Sequence, residues 1–83
     1  MPLYLDIHRN VPGATEEALA GAHAKDLGTQ GRYGVRYLKY WFSAETGTAF
    51  CLVEAPDKAA AERVHREAHG LVADEILEVT EHA

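Results

Sequence analysis

With 83 residues, 47% hydrophobic and 25% charged, the chain has room for one globular domain, residues 1–83, and no second one. Its net charge of −5 repels phosphate backbones, which sets nucleic acid aside as a partner. Cys51 is the single cysteine, so no intrachain disulfide can form.

A domain this small sits near the limit of independent stability. Ordering costs about 1.5 kcal/mol per residue, and apolar burial only roughly offsets it. With disulfides excluded, a metal, a second subunit or both remain as sources of extra stability. The sequence shows no low-complexity tract, no internal repeat and no charged stretch followed by a long apolar run, so no signal peptide is expected. Nothing approaches the roughly 20 apolar residues of a membrane span. Together with the lone cysteine, this predicts a cytoplasmic setting without a membrane partner. The charge is uneven: residues 1–42 carry five Lys/Arg against four Asp/Glu, residues 43–83 three against nine. The acidic half raises the local concentration of cations.

In chain order, Leu3 to Arg9 alternates, with Leu3, Leu5 and Ile7 on one face and Tyr4, Asp6 and His8 on the other. That period of two predicts a strand. Asn10-Val11-Pro12-Gly13 breaks it, and Thr15 is placed to cap a helix whose first turn carries Glu16 and Glu17. Leu19, Ala22, His23 and Leu27 recur at helical spacing as far as Gly28 or Gly31. Val35 to Phe42 is rich in aromatic and β-branched types and predicts a second strand. Glu45-Thr46-Gly47 supplies a tight turn into a third, Thr48 to Glu54. Asp57 caps a second helix, about Lys58 to His69, which Gly70 stops. Asp74 to Thr80 predicts the last strand. This order is the α+β, ferredoxin-like βαββαβ plan with an antiparallel sheet.

Both helices of that plan cover one sheet face, yet the strands are apolar on both sides. Strand three shows Ala49, Cys51 and Val53 against Phe50 and Leu52. Strand two shows Tyr37 and Trp41 against Leu38, Tyr40 and Phe42. A sheet wet on one side alternates cleanly, and a bare apolar face is rare on soluble monomers. A homodimer that stacks these faces, a dimeric α/β barrel-like assembly, is therefore expected.

Chemistry concentrates on few residues. His65 and His69 stand at i and i+4 on the second helix, neighbours on one face and able to clamp a divalent ion. Their spacing is not that of the zinc-protease helix, because Glu67 follows His65 by two places. Ala61, Val64, Ala68 and Leu71 trace the expected core stripe, and both histidines flank it. Surface histidines without a ligand are the alternative. Asp6 and His8 share the strand-one face with Tyr4, read as pointing away from the helices. They fit metal ligands, a proton-transfer pair or a satisfied buried couple. His23 reads as a packed histidine with Asp26 as polar partner, and Cys51 as a small buried hydrophobe. No glycine-rich phosphate loop, nucleophile elbow or Cys-x-x-Cys pair is present.

The words Asp6-Ile7-His8, Val11-Pro12-Gly13-Ala14-Thr15, Tyr33-Gly34-Val35-Arg36-Tyr37 and Cys51-Leu52-Val53-Glu54-Ala55-Pro56-Asp57 carry a resemblance. So does the run Ala61 to Gly70. Over about Leu3 to Val79 they resemble a family of small, nickel-binding, ferredoxin-like homodimers, formerly described only as a domain of unknown function. The resemblance implies a nickel-responsive protein that sequesters or detoxifies Ni²⁺, other divalent transition metals being compatible with the same ligands. It carries the metal role onto His8, His65 and His69, with Asp6 and Glu67 as carboxylate ligands, and names no catalytic residue.

Two other readings stand beside it. One is a small dimeric α/β-barrel enzyme, monooxygenase- or isomerase-like, with Asp6 and His8 as its acid–base pair and aromatic side chains lining a pocket. The other is a ligand-sensing or assembly module without chemistry of its own.

Overall fold

The computed structural model describes all of residues 1–83. The elements run β1 (Leu3–His8), α1 (Glu16–Thr29), a short 3₁₀ turn (Gln30–Tyr33), β2 (Arg36–Ser43), β3 (Thr48–Glu54), α2 (Lys58–Ala68) and β4 (Glu75–Val79). The four strands form one sheet in the order β2-β3-β1-β4, every neighbouring pair antiparallel. This is the expected ferredoxin-like arrangement. No helix is long and apolar enough to cross a membrane.

Local chemistry accounts for the helix starts. The Thr15 hydroxyl accepts from the Ala18 N–H, and the Asp57 carboxylate accepts from the Ala60 N–H. Each cap satisfies a backbone donor that the first turn leaves free, a contribution of about 1 kcal/mol. Gly70 has φ +81° where α2 ends. Its N–H and that of His69 both return to the His65 carbonyl, which closes the helix.

The core lies between the sheet and the helices. It joins Tyr4, Val35, Tyr37, Val53, Ala55, Ala60, Ala61 and Val64, with Ile76 packed against it. Ala60, Ala61 and Val64 come from α2, and His65 of the same helix reaches Asp6 on β1.

The register overturns one expectation about faces. Tyr4, Asp6 and His8 lie opposite Val53, Cys51 and Ala49 on β3, and this is the surface the helices cover. Leu3, Leu5 and Ile7 take the open side. The two rows of β1 were distinguishable only by which is more apolar. The helices instead cover the polar row, because His65 of α2 supplies hydrogen bonds there. A second correction concerns β2. A bulge between Tyr37 and Lys39 shifts the alternation, so Tyr37, Tyr40 and Phe42 all pair with helix-side residues of β3. Trp41 pairs with Phe50 on the open face.

Helix α1 is also rotated from the expected stripe. Leu19 and Asp26 are its buried residues, while Leu27 is 47% exposed. Seven residues make almost two whole turns, so Asp26 lies directly below Leu19 and Leu27 swings outward.

Candidate metal centre

Three elements converge beneath the helices. β1 supplies Asp6 and His8 at alternate positions on one face, and β3 places Cys51 opposite Asp6. α2 drops His65 onto them from above, with the side chain only 2% exposed. Asp6 is wholly buried. Ligand-type atoms of Asp6, His8, Cys51 and His65 all lie within 4.8 Å of one another. A second group, Asp26, His65 and His69, meets the same spacing and shares His65.

Hydrogen bonds order these groups into an alternating chain. His8 Nε2 lies 3.1 Å from Asp6 Oδ1, and His65 Nε2 lies 3.0 Å from Asp6 Oδ2. On its other side, His65 Nδ1 lies 2.8 Å from Asp26 Oδ1, which is also 3.1 Å from His69 Nε2. The Tyr37 hydroxyl adds a donor 3.0 Å from Asp6 Oδ2, and it also lies 3.2 Å from the Ala61 carbonyl. Every buried side-chain nitrogen and oxygen finds a partner.

The electrostatics follow from this arrangement. Burial works to raise the Asp6 carboxyl, but donation from His65 and His8 outweighs it and holds Asp6 far below the usual carboxylate range. Asp26 is held low in the same way, burial being outweighed by donation from His65 and His69. Burial works to lower the His65 imidazole, but Asp26 and Asp6 push it up to about 9. Facing a carboxylate with each nitrogen, His65 is an imidazolium at neutral pH, since only protonated nitrogens donate to carboxylates. Burial and then the Asp6 charge push both the Tyr37 phenol and the Cys51 thiol far up. Without a cation, Tyr37 is a hydrogen-bond donor and Cys51 a neutral thiol.

A pocket of about 40 Å³ opens onto this chain. His8, Cys51, His65, His69 and Asp26 reach it, and Val11, Leu19, Ala22, His23, Tyr40, Ala49 and Leu71 complete its wall. That volume holds an ion with a few waters. A buried charged chain that ends at an opening is a poor way to gain stability, since hydrophobic replacements commonly do as well. Such arrangements are expected at functional sites.

Of the residues singled out from sequence, Asp6, His8, His65 and His69 come together. Glu67 lies apart: its carboxylate takes Arg32 and Tyr33 at the surface and belongs to neither group. His65 and His69 do not flank the core stripe as surface residues; His65 is inside it, where Ala60, Ala61 and Val64 carry it against the sheet. Cys51 is more than a packed hydrophobe, because its sulfur faces Asp6, His8 and His65. The sequence predicts Asp26 as a polar partner for His23. It instead pairs with His65 and His69, while the His23 ring packs 4.9 Å from that of Tyr40. The signals that find both are positional: Cys51 falls opposite Asp6 once the strands pair, and Asp26 is seven residues from Leu19.

A family model described as nickel responsive protein SCO4226-like matches residues 4–79. The crystal structure of SCO4226 from Streptomyces coelicolor A3(2) is similar throughout, with a TM-score of 0.89 and 38% identity. The likeness covers 98% of this chain and 99% of that one. No curated protein matches the sequence. On the family match and this full-length likeness, the chain belongs to the nickel-responsive SCO4226-like family.

Proposed function

We propose that the protein binds a divalent transition metal, Ni²⁺, at Asp6, His8, Cys51 and His65, and so sequesters or detoxifies it. The observation that carries this reading is the clustering of one carboxylate, two imidazoles and one thiol within 4.8 Å. Ligands at about 2.0–2.3 Å from an ion stand up to roughly 4.6 Å apart, so small movements suffice. A mixed nitrogen, oxygen and sulfur set suits nickel, and also zinc and copper. The pocket provides the entry path that a buried site requires. A thiol ligand needs a reducing compartment, which fits a cytoplasmic protein.

When Ni²⁺ arrives, the chain's own protons give way. Asp6 exchanges its hydrogen bonds from His8 and His65 for the cation, and Tyr37 still donates to the carboxylate. The cation's charge draws the thiol proton from Cys51. Nickel calorimetry of wild type against His65→Ala and Cys51→Ala tests the reading. Loss of binding in both is expected; unchanged affinity in both would remove this cluster from the role.

The functional unit is a homodimer in this proposal. The open face carries Leu5, Leu52 and Leu77 in one cross-strand row and Ile7, Phe50 and Trp41 in the next. Trp41 is 49% and Leu77 44% exposed, more apolar surface than a sheet facing water needs. A second copy of the same face supplies the cover.

One observation favours a second reading, a small acid–base enzyme: the pocket reaches His8, which is hydrogen-bonded to Asp6. His8 then acts as base with Asp6 as its partner. Small enolisable ligands shifting the His8 resonance of the chelator-treated protein would favour it; no shift, with nickel bound, would end it.

A further inference from the structure

Asp26, His65 and His69 have the ligand types of a second metal position, but a backbone hydrogen bond opposes that use. The Leu71 N–H donates to Nδ1 of His69 across 3.1 Å. A donor there fixes a lone pair on Nδ1, so the ring proton sits on Nε2, the nitrogen facing Asp26. A neutral ring that gave Nε2 to a metal would carry its proton on Nδ1, directly against the Leu71 N–H. The arrangement is set by the chain itself: the left-handed Gly70 turns the backbone back so that Leu71 meets the ring two residues before it. His69 is built to donate.

We propose that Asp26 and His69 are positioning residues for the metal centre and not ligands. His69 Nε2 lies 3.1 Å from Asp26 Oδ1, an ion-pair contact to the same oxygen that accepts from His65 Nδ1. Asp26 thereby holds the His65 ring with Nε2 turned to the Asp6, His8 and Cys51 group. A carboxylate behind a ligating imidazole fixes its tautomer and orientation and strengthens it as a ligand. The inference rests on the metal reading above and assigns to its site an outer layer.

The test measures Ni²⁺ affinity by calorimetry for wild type, His69→Gln, His69→Leu and Asp26→Asn, each checked for folding by thermal melting. Ligand-field spectra with Co²⁺ are recorded alongside. His69→Gln keeps an amide N–H for Asp26, so it should bind nickel close to wild type and leave the Co²⁺ spectrum unchanged. His69→Leu and Asp26→Asn should weaken binding on the order of 10- to 100-fold with the ligand set retained. The proposal is overturned if His69→Gln loses as much as His69→Leu with an altered spectrum, the signature of a lost ligand. It is equally overturned if Asp26→Asn binds as wild type does. Should His69→Leu fail to fold, His69→Gln and Asp26→Asn decide the matter alone. A wild type that binds no nickel would refute the metal reading itself, an outcome visible before any variant is made.

Discussion

The two ring nitrogens of His65 are held by two different aspartates, Nδ1 by Asp26 at 2.8 Å and Nε2 by Asp6 at 3.0 Å. All three side chains are buried. A single imidazolium therefore neutralises part of two carboxylate charges and joins strand β1, helix α1 and helix α2.

Removing that ring leaves both aspartates facing an apolar side chain. His65→Leu should cost about 3–5 kcal/mol at neutral pH, the range for breaking a buried ion pair from one side. Adding Asp6→Asn and Asp26→Asn should restore part of the loss. Urea denaturation of the metal-free proteins checks it; a single-variant cost below about 1 kcal/mol would mean the pairing contributes no net stability.

The same pairing makes metal-free stability depend on pH. In the unfolded chain the imidazole has its ordinary value of 6.5, and in the fold it is pushed up to about 9. A raised value stabilises the fold fully below about 6.5 and loses that contribution as pH rises through 9. Asp6 and Asp26 are depressed, so their contribution is present above the ordinary carboxylate value and fades on acidification. Stability should therefore be greatest in mildly acidic solution and fall towards pH 9 by on the order of 3 kcal/mol. Melting temperatures across that range decide it, and a curve flat from neutrality to pH 10 would contradict it.

In the proposed centre, nickel and protons compete for one place. His65 must give up the proton on Nε2, and Cys51 its thiol proton. About two protons should leave per ion bound near neutral pH, and affinity should rise as pH rises towards 9. Calorimetry in buffers of different ionisation enthalpy counts them. Release of none would mean that neither group is a ligand.

Cys51 contributes the only sulfur. Cys51→Ser preserves shape but offers a hard, weakly acidic hydroxyl, so nickel affinity should fall by at least about tenfold. The sulfur-to-nickel charge-transfer absorption of the wild type should vanish with it. An absorption spectrum indistinguishable between the two proteins would place the ion elsewhere.

Much of the fold is legible in the residues because local chemistry fixes it. Thr15 and Asp57 mark helix starts, Gly70 a helix end, and the alternation from Leu3 to His8 a strand. The facing of β1 is not legible, since Leu3, Leu5 and Ile7 look like the core row until α2 is known to bring His65 to the other. The bulge beside Leu38 leaves no mark, and it moves Tyr40 and Phe42 to the side of Tyr37. For the candidate site, the i, i+4 histidines point to α2, the helix that brings His65 to Asp6. Their different roles depend on the aspartates opposite, and Asp26 is a tertiary partner that spacing along α2 cannot show.

The face assignment also separates assembly from binding. The proposed metal centre lies on the helix side of the sheet, whereas Trp41 and Leu77 lie on the other. Charges placed on the apolar face at its two edge strands, as in Trp41→Glu on β2 with Leu77→Glu on β4, should prevent two copies from stacking, because neither carboxylate finds a partner there. Sedimentation should give the mass of a dimer for wild type and of a single chain for the double variant. Stability should fall, since the shielded area is lost, yet nickel binding per chain should persist, as no ligand comes from across the interface. A wild type that sediments as a monomer would remove the dimer. A double variant that is folded and monomeric but cannot bind nickel would instead show that the partner completes the centre.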